Sequence, residues 1–231
     1  MLLVAFVFVM GYATVLLSTL NQIVHEPHTP AQSTNVRSVP EKPVPRRTEV
    51  QSTQSSNNEE EVLLLHFENE DLGSLHITLR PDLHSESRDY VRQIMDKGCK
   101  RCSFYRAEKP GILQGIIKHP DVDVPKNKGT CPAGNEDVHN DCPDWDKQCA
   151  CHGPVMHRGM VAWAAGATGP DFFIDAYPRP AKWWGTQHTV WGELDEESLK
   201  IVDKIWDLPV KHEGLTYLVD PLKFTMELAV R

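Results

Sequence analysis

FYRAEKPGILQG, residues 104–115, places two strand-length runs on either side of the Pro110-Gly111 dipeptide. The first run continues from Ser103 as SFYR, and the second extends into ILQGII. Proline presets the backbone for a turn and glycine accepts conformations closed to other residues, so the chain reverses between the two runs. Arg106 and Gln114 stand on opposite sides of that reversal. An arginine on a strand is most often solvated or ion-paired, so its meaning depends on what the rest of the chain builds around it.

Upstream, VLLLHFE (62–68) is an apolar run of strand length, NEDLG (69–73) is a turn, and SLHITLR (74–80) alternates polar with apolar residues. Together they predict a hairpin. After Pro81, SESRDYVRQIMDKG predicts a helix capped by Ser85 or Ser87, with Tyr90, Val91, Ile94 and Met95 as its apolar stripe and Gly98 as its stop. Downstream, GMVAWAA (159–165) and FFIDA (172–176) are short buried runs around a glycine-rich turn, and TVWGEL (189–194) follows. DEESLKIVDKIW (195–206) predicts a second helix, with acids in its first turn and Leu199, Val202 and Ile205 on one side. FTMELAV (224–230) alternates as a final strand. Many short strands with two helices, and no alternation of strand and helix, specify an antiparallel barrel or sandwich.

At 231 residues the chain can hold one ordinary domain with additions or two small ones. A net charge of -8 without any Lys/Arg cluster argues against a nucleic-acid surface. Residues 1–24 contain no Asp, Glu, Lys or Arg and are long enough to cross a bilayer as a helix. They read as a transmembrane signal-anchor, with a cleaved signal peptide as the alternative, although neither a basic start nor a small-residue cleavage site stands out. Both readings send the chain into the secretory pathway, as a single-pass membrane protein of the endoplasmic reticulum or Golgi with a lumenal or extracellular domain, or as a secreted one. Residues 25–61 are rich in Pro, Ser, Thr, Gln and charge, bury too little to offset ordering entropy, and read as a disordered stalk. The folded domain is then 62–231.

Cys99, Cys102, Cys131, Cys142, Cys149 and Cys151 fall within one stretch of that domain. An even number of clustered cysteines behind a secretory segment points to disulfides. Zinc held by Cys99, Cys102, Cys149, Cys151 and His152 is a rival, and a redox-active Cys99-x-x-Cys102 is a third reading. Residues 118–152 have little periodicity and many breakers. So long a loop in a small domain needs stapling, and it reads as a Cys-rich insertion.

Three motifs now fall into one order. FYRAEKPGILQG resembles the cyclophilin signature that runs from Phe-His-Arg through Pro-Gly to Gln-Gly. GMVAWAAGATGPDFFI (159–174) resembles the small-residue stretch ending in Phe-Phe-Ile, and WWGTQHTVWG (183–192) is similar to that family's Trp/His segment. The resemblance covers about residues 62–231. It implies a mainly β domain: a closed eight-stranded antiparallel barrel capped by two helices. It also implies peptidyl-prolyl cis–trans isomerisation, with Pro-containing polypeptides as partners and no cofactor or metal.

Carried over residue by residue, the resemblance makes Arg106 the catalytic arginine and keeps Gln114 at the family's spacing from it. Ala164 and Phe173 match groove positions, Trp183 the groove tryptophan and His188 the pocket histidine. Ile112, Leu113, Phe173 and Trp184 would line the proline pocket, with Trp183 and His188 at its edge. There are departures. Gly111 stands where the family has a pocket phenylalanine, Ile112 replaces the following methionine, and Trp184 replaces a leucine. Tyr105 replaces a histidine, Asp171 a glutamine and Ala165 an asparagine. The implied reaction needs no nucleophile, only a surface that binds the twisted amide better than the planar one. The retained residues favour an isomerase, and the altered pocket favours a catalytically weak or inactive module that binds Pro-containing segments or a partner protein.

Overall fold

Alternation of apolar side chains builds the strands, and the register between them decides which side chains share a face. The computed structural model of the chain describes residues 60–134 and 150–231. The expected span at 1–24, nearly all of the stalk, and Cys142 and Cys149 lie outside the described residues. Among the described residues no helix is long and apolar enough to cross a membrane.

The expected hairpin is β1 (Glu61–Phe67) and β2 (Ser74–Leu79), paired from Val62↔Thr78 to His66↔Ser74. Helix α1 (Pro81–Lys97) leads to β3 (Arg101–Glu108) and β4 (Ile112–Lys118). After the Cys-rich insertion come β5 (Met160–Trp163), β6 (Asp171–Asp175) and β7 (Val190–Leu194). Helix α2 (Glu196–Ile205) precedes β8 (Val210–Glu213) and the long β9 (Leu215–Val230). Every pairing is antiparallel, and the strands run in the order β1-β2-β7-β5-β6-β4-β3-β9, with β9 returning to β1. That is a closed eight-stranded barrel. β8 pairs only with β9 and stands outside the ring.

The barrel is filled by Leu63, Leu75, Ile77, Phe104, Leu113, Phe172 and Ile174, with Trp163 and Trp191 stacked 5.1 Å apart. α1 packs Tyr90, Val91 and Ile94 into this core, and α2 packs Leu199, Val202 and Ile205. Tyr90 sets its ring edge-on to Trp163 at 5.5 Å and donates its hydroxyl to the Ile117 carbonyl at 2.9 Å. At the start of α2, Asp195 accepts the Ser198 N–H, the capping its sequence predicts.

The start of α1 differs from expectation. Neither Ser85 nor Ser87 caps it. His84 takes an extended backbone after the first turn, and its Nδ1 accepts the Ser87 N–H at 3.2 Å. The Ser87 hydroxyl instead accepts the Trp163 indole N–H at 2.7 Å, inside the core. An imidazole nitrogen thus does the work of the usual cap oxygen.

Four cysteines pair as Cys99–Cys102 and Cys131–Cys151. The first pair closes the short turn between α1 and β3. The second ties the two described ends of the insertion together.

Candidate functional site

β3 carries a bulge: Phe104 faces Gly115 and Arg106 faces Gln114, leaving Tyr105 as the extra residue. A bulge re-aims the side chains beside it. Phe104 stays in the core at 0% exposure, while Tyr105 and Arg106 are both half-buried toward the outer face. Gly115 is required opposite, because a Cβ there would sit 2.8 Å from the Ser103 carbonyl and 3.0 Å from the Phe104 ring.

The outward side chains form one hydrogen-bonded chain. Arg106 donates from Nε to Glu108 Oε1 at 3.1 Å and from Nη1 to Gln114 Oε1 at 2.9 Å. Gln114 donates from Nε2 to the Tyr105 hydroxyl at 2.7 Å, and that hydroxyl donates to Asp171 Oδ1 at 2.8 Å. Glu108 also accepts the Thr216 N–H at 2.8 Å, tying the arginine to the start of β9. Burial pushes the Glu108 carboxyl up, but the hydrogen bonds from Thr216 and Arg106 outweigh it and hold the group below the usual carboxylate range. Burial, with the hydrogen bond to Asp171, raises the Tyr105 hydroxyl and keeps it protonated, as a donor must be. The two departures Tyr105 and Asp171 are therefore partners. A guanidinium clamped at two of its nitrogens keeps its remaining N–H groups for a third acceptor.

Beside this chain lies a cavity of about 550 Å³. The structure gathers Arg106, Ile112, Gln114, Ala164, Phe173, Trp184 and His188 around it, with Glu108, Ala165, Tyr177, Gly214 and Leu215. Register explains the grouping: Gln114 lies opposite Phe173, and Phe173 opposite Ala162, on one face of the β4-β6-β5 sheet. Phe173 sets its ring edge-on against Trp184 at 5.3 Å and His188 at 5.0 Å. Beneath them Met156, Met160, Ala162 and Val190 form a small apolar cluster separate from the barrel core.

Two expected pocket residues lie elsewhere. Leu113 is fully buried in the barrel, paired with Ile174, because side chains alternate along a strand and its neighbours Ile112 and Gln114 take the outer face. Trp183 sits in the turn Lys182–Trp184, 40% exposed, and lines a neighbouring cavity with Pro110, Tyr177, Pro178 and Arg179.

Tyr177 went unnoticed in the sequence, and it changes the meaning of Gly111. A Cβ on Gly111 would lie 2.6 Å from the Tyr177 hydroxyl oxygen and 2.7 Å from Cζ. The space left by the missing phenylalanine is thus filled by a ring from the segment after β6. Tyr177 packs edge-on against Trp184 at 5.5 Å and Trp183 at 4.9 Å. Ala165, at the cavity lip, has φ +55°. That left-handed conformation costs a residue with a Cβ about 1–2 kcal/mol, and it suits the asparagine that the resemblance places there.

Two buried groups have displaced titrations. Burial drives His188 down to about 4, so the imidazole is neutral at physiological pH, and its Nδ1 has no partner among the described residues. Burial drives Asp175 up to about 6, partly offset by the Tyr177 N–H that Oδ1 accepts at 2.9 Å. Its Oδ2 is buried and unpartnered among the described residues. No cluster of three or more metal-ligating side chains occurs among the described residues.

A closed antiparallel barrel with two packed helices, an outward arginine on a bulged strand and an aromatic cavity beside it define a β-barrel protein with a surface site on its outer face. Residues 64–222 match the family described as cyclophilin type peptidyl-prolyl cis-trans isomerase/CLD, and the chain belongs to that family. Among solved structures, a cyclophilin type peptidyl-prolyl cis-trans isomerase of Cryptosporidium parvum is similar at 12% identity, covering 74% of this chain and 98% of that one, with a TM-score of 0.49. The same protein in the presence of the dipeptide Ala-Pro is similar at 13% identity over the same shares, with a TM-score of 0.47. No curated protein matches the chain.

Proposed function

We propose that the chain catalyses cis–trans isomerisation of X–Pro bonds in proteins of the secretory pathway, tethered to the membrane through residues 1–24. Family membership supports the reaction class. The membrane tether and the compartment rest on the apolar N-terminal stretch alone.

The observation that carries the reading is the clamped Arg106 beside the cavity formed by Phe173, Trp184, His188 and Ile112. Amide resonance sets a barrier of about 18–20 kcal/mol to rotation about the C–N bond. As the bond twists, the proline nitrogen regains its lone pair and the adjacent carbonyl loses conjugation. A guanidinium already fixed by Glu108 and Gln114 can donate to that nitrogen or carbonyl without reorganising, and so favours the twisted form. The apolar cavity holds the ring while the preceding residue turns. The neutral His188 edge presents no charge that would draw water into the ring site.

The test is the rate of isomerisation of short X–Pro peptides, which takes tens to hundreds of seconds unaided. The purified chain is expected to accelerate it, and Arg106→Ala to remove most of the acceleration with the thermal unfolding midpoint little changed. Peptide binding with no acceleration, insensitive to Arg106→Ala, would instead establish the binding-module reading.

A further inference from the structure

The cavity under Trp183 has no part in holding the proline ring, yet it adjoins the ring site. Its volume is about 530 Å³, and Tyr177 is the wall common to both cavities. Its other walls are Pro110, Pro178, Arg179 and Trp183, so it combines aromatic and proline surface with a single charged group. Trp183 is 40% exposed and stands edge-on to Tyr177 at 4.9 Å. The Arg179 guanidinium lies 5.8 Å from the centre of the Trp183 ring. Exposed Lys182 directly precedes Trp183 in the same turn.

We propose that this cavity is a second peptide subsite that takes an acidic side chain a short distance from the isomerised proline. The inference rests on the reading of the first cavity as the proline site. Charge argues for the acid. Arg179 has no carboxylate partner among the described residues, although the chain as a whole carries a net charge of -8. Lys109, the chain neighbour of Pro110, is already paired with Asp207 at 3.1 Å. An arginine offers a planar fork that matches a carboxylate, and stacking on an indole fixes that fork in place. Arg179 is itself exposed, so an ion pair formed there carries the modest strength of a surface pair. Tryptophan, tyrosine and arginine are also the residue types most enriched at interface hot spots.

Distance argues for a single bound segment. The Trp183 and Trp184 ring centres are 5.8 Å apart. An extended chain advances about 3.3–3.6 Å per residue, so a proline against Trp184 places a residue one to three positions away against Trp183.

The experiment uses the full chain and a set of X–Pro peptides with Glu, Ala, Phe or Lys at each of the three positions on either side of the proline. At one position Glu is expected to raise kcat/KM over Ala by roughly two- to fivefold, mainly through KM, and Lys to lower it. Salt is expected to shrink the difference. Arg179→Gln should bring the Glu-to-Ala ratio close to one, and Trp183→Ala should weaken binding of the Glu peptide, followed by fluorescence polarisation of labelled peptide. If all peptides are isomerised equally, the subsite is refuted while the isomerase reading stands. A gain with Phe and none with Glu refutes the acidic ligand. If no peptide is isomerised but labelled Glu peptide binds more tightly than Ala peptide in an Arg179-dependent way, the isomerase reading fails and the subsite stands.

Discussion

Asp175→Asn should tilt the pH dependence of stability, because Asp175 and His188 pull it in opposite directions over the same interval. His188 titrates at about 4 in the folded chain against an ordinary 6.5. On acidification the unfolded chain takes up that proton first, so the contribution of His188 is complete above pH 6.5 and is lost as pH falls toward 4. Asp175 titrates at about 6 against an ordinary 3.8. Here the folded chain takes the proton first, so stability rises as pH falls through 6. Linkage makes the His188 loss between pH 8 and pH 5 about 2 kcal/mol and the Asp175 gain about 1.4 kcal/mol. Buried His84, also lowered by desolvation, adds to the loss in every variant alike. Relative to wild type, Asp175→Asn should therefore lose about 1.4 kcal/mol more on going from pH 8 to pH 5, since it lacks the compensating proton. His188→Gln should lose about 2 kcal/mol less over the same interval. Denaturant unfolding at several pH values measures both differences. An Asp175→Asn profile parallel to wild type would show that this carboxyl is not displaced, and the burial argument would fall with it.

Tyr105→Phe cuts the link between Gln114 and Asp171, so kcat for a peptide should fall by roughly three- to tenfold with KM nearly unchanged, the range of one ordinary hydrogen bond; a change in KM alone would show that the chain does not position Arg106. Leu113→Ala should cost about 2–5 kcal/mol in unfolding experiments, whereas Ile112→Ala should act mostly on KM, and equal stability losses would contradict the assigned faces. Gly111→Ala drives a methyl into Tyr177, so it should lower the melting temperature, and adding Tyr177→Ala should restore part of it. Strictly additive effects would mean the two residues do not share that space.

Local patterns carried the strands and helices whose one face is buried. β1, β2, α2 and the run 172–176 show the alternation or stripe that burial imposes. β8 escaped because it is almost wholly exposed, with only Val210 partly covered, so nothing forces its sequence to alternate. At the start of β9 only Leu215 is exposed, and the turn residue Gly214 and Leu215 together reach the cavity. Glu108 was legible in principle, since it lies two residues from Arg106 on one strand and so shares its face. Tyr177 was not, because its role depends on the space above Gly111, far away in sequence. The Tyr105–Asp171 bond is likewise visible only once β4 has paired with both β3 and β6. Leu113 faces the core because side chains alternate along β4, which a motif resemblance alone does not convey.

The seam between β1 and β9 has a consequence for the order in which the molecule can assemble. It runs from Glu61↔Val230 to Phe67↔Phe224, and Glu60 and Arg231 exchange backbone hydrogen bonds at its end. The outer edge of β1 therefore waits for β9, which is synthesised much later. At typical synthesis rates of about 5–20 residues per second, the gap from residue 67 to residue 224 corresponds to roughly 8–30 s. Throughout that time β1 carries an open edge, joined by β3 once it is made, and open edges are the kind of surface on which chains associate wrongly. Pairings of such long sequence separation also place the domain among slow-folding topologies. A chain stopped short of residue 224 would keep the seam open, whatever the state of its groove.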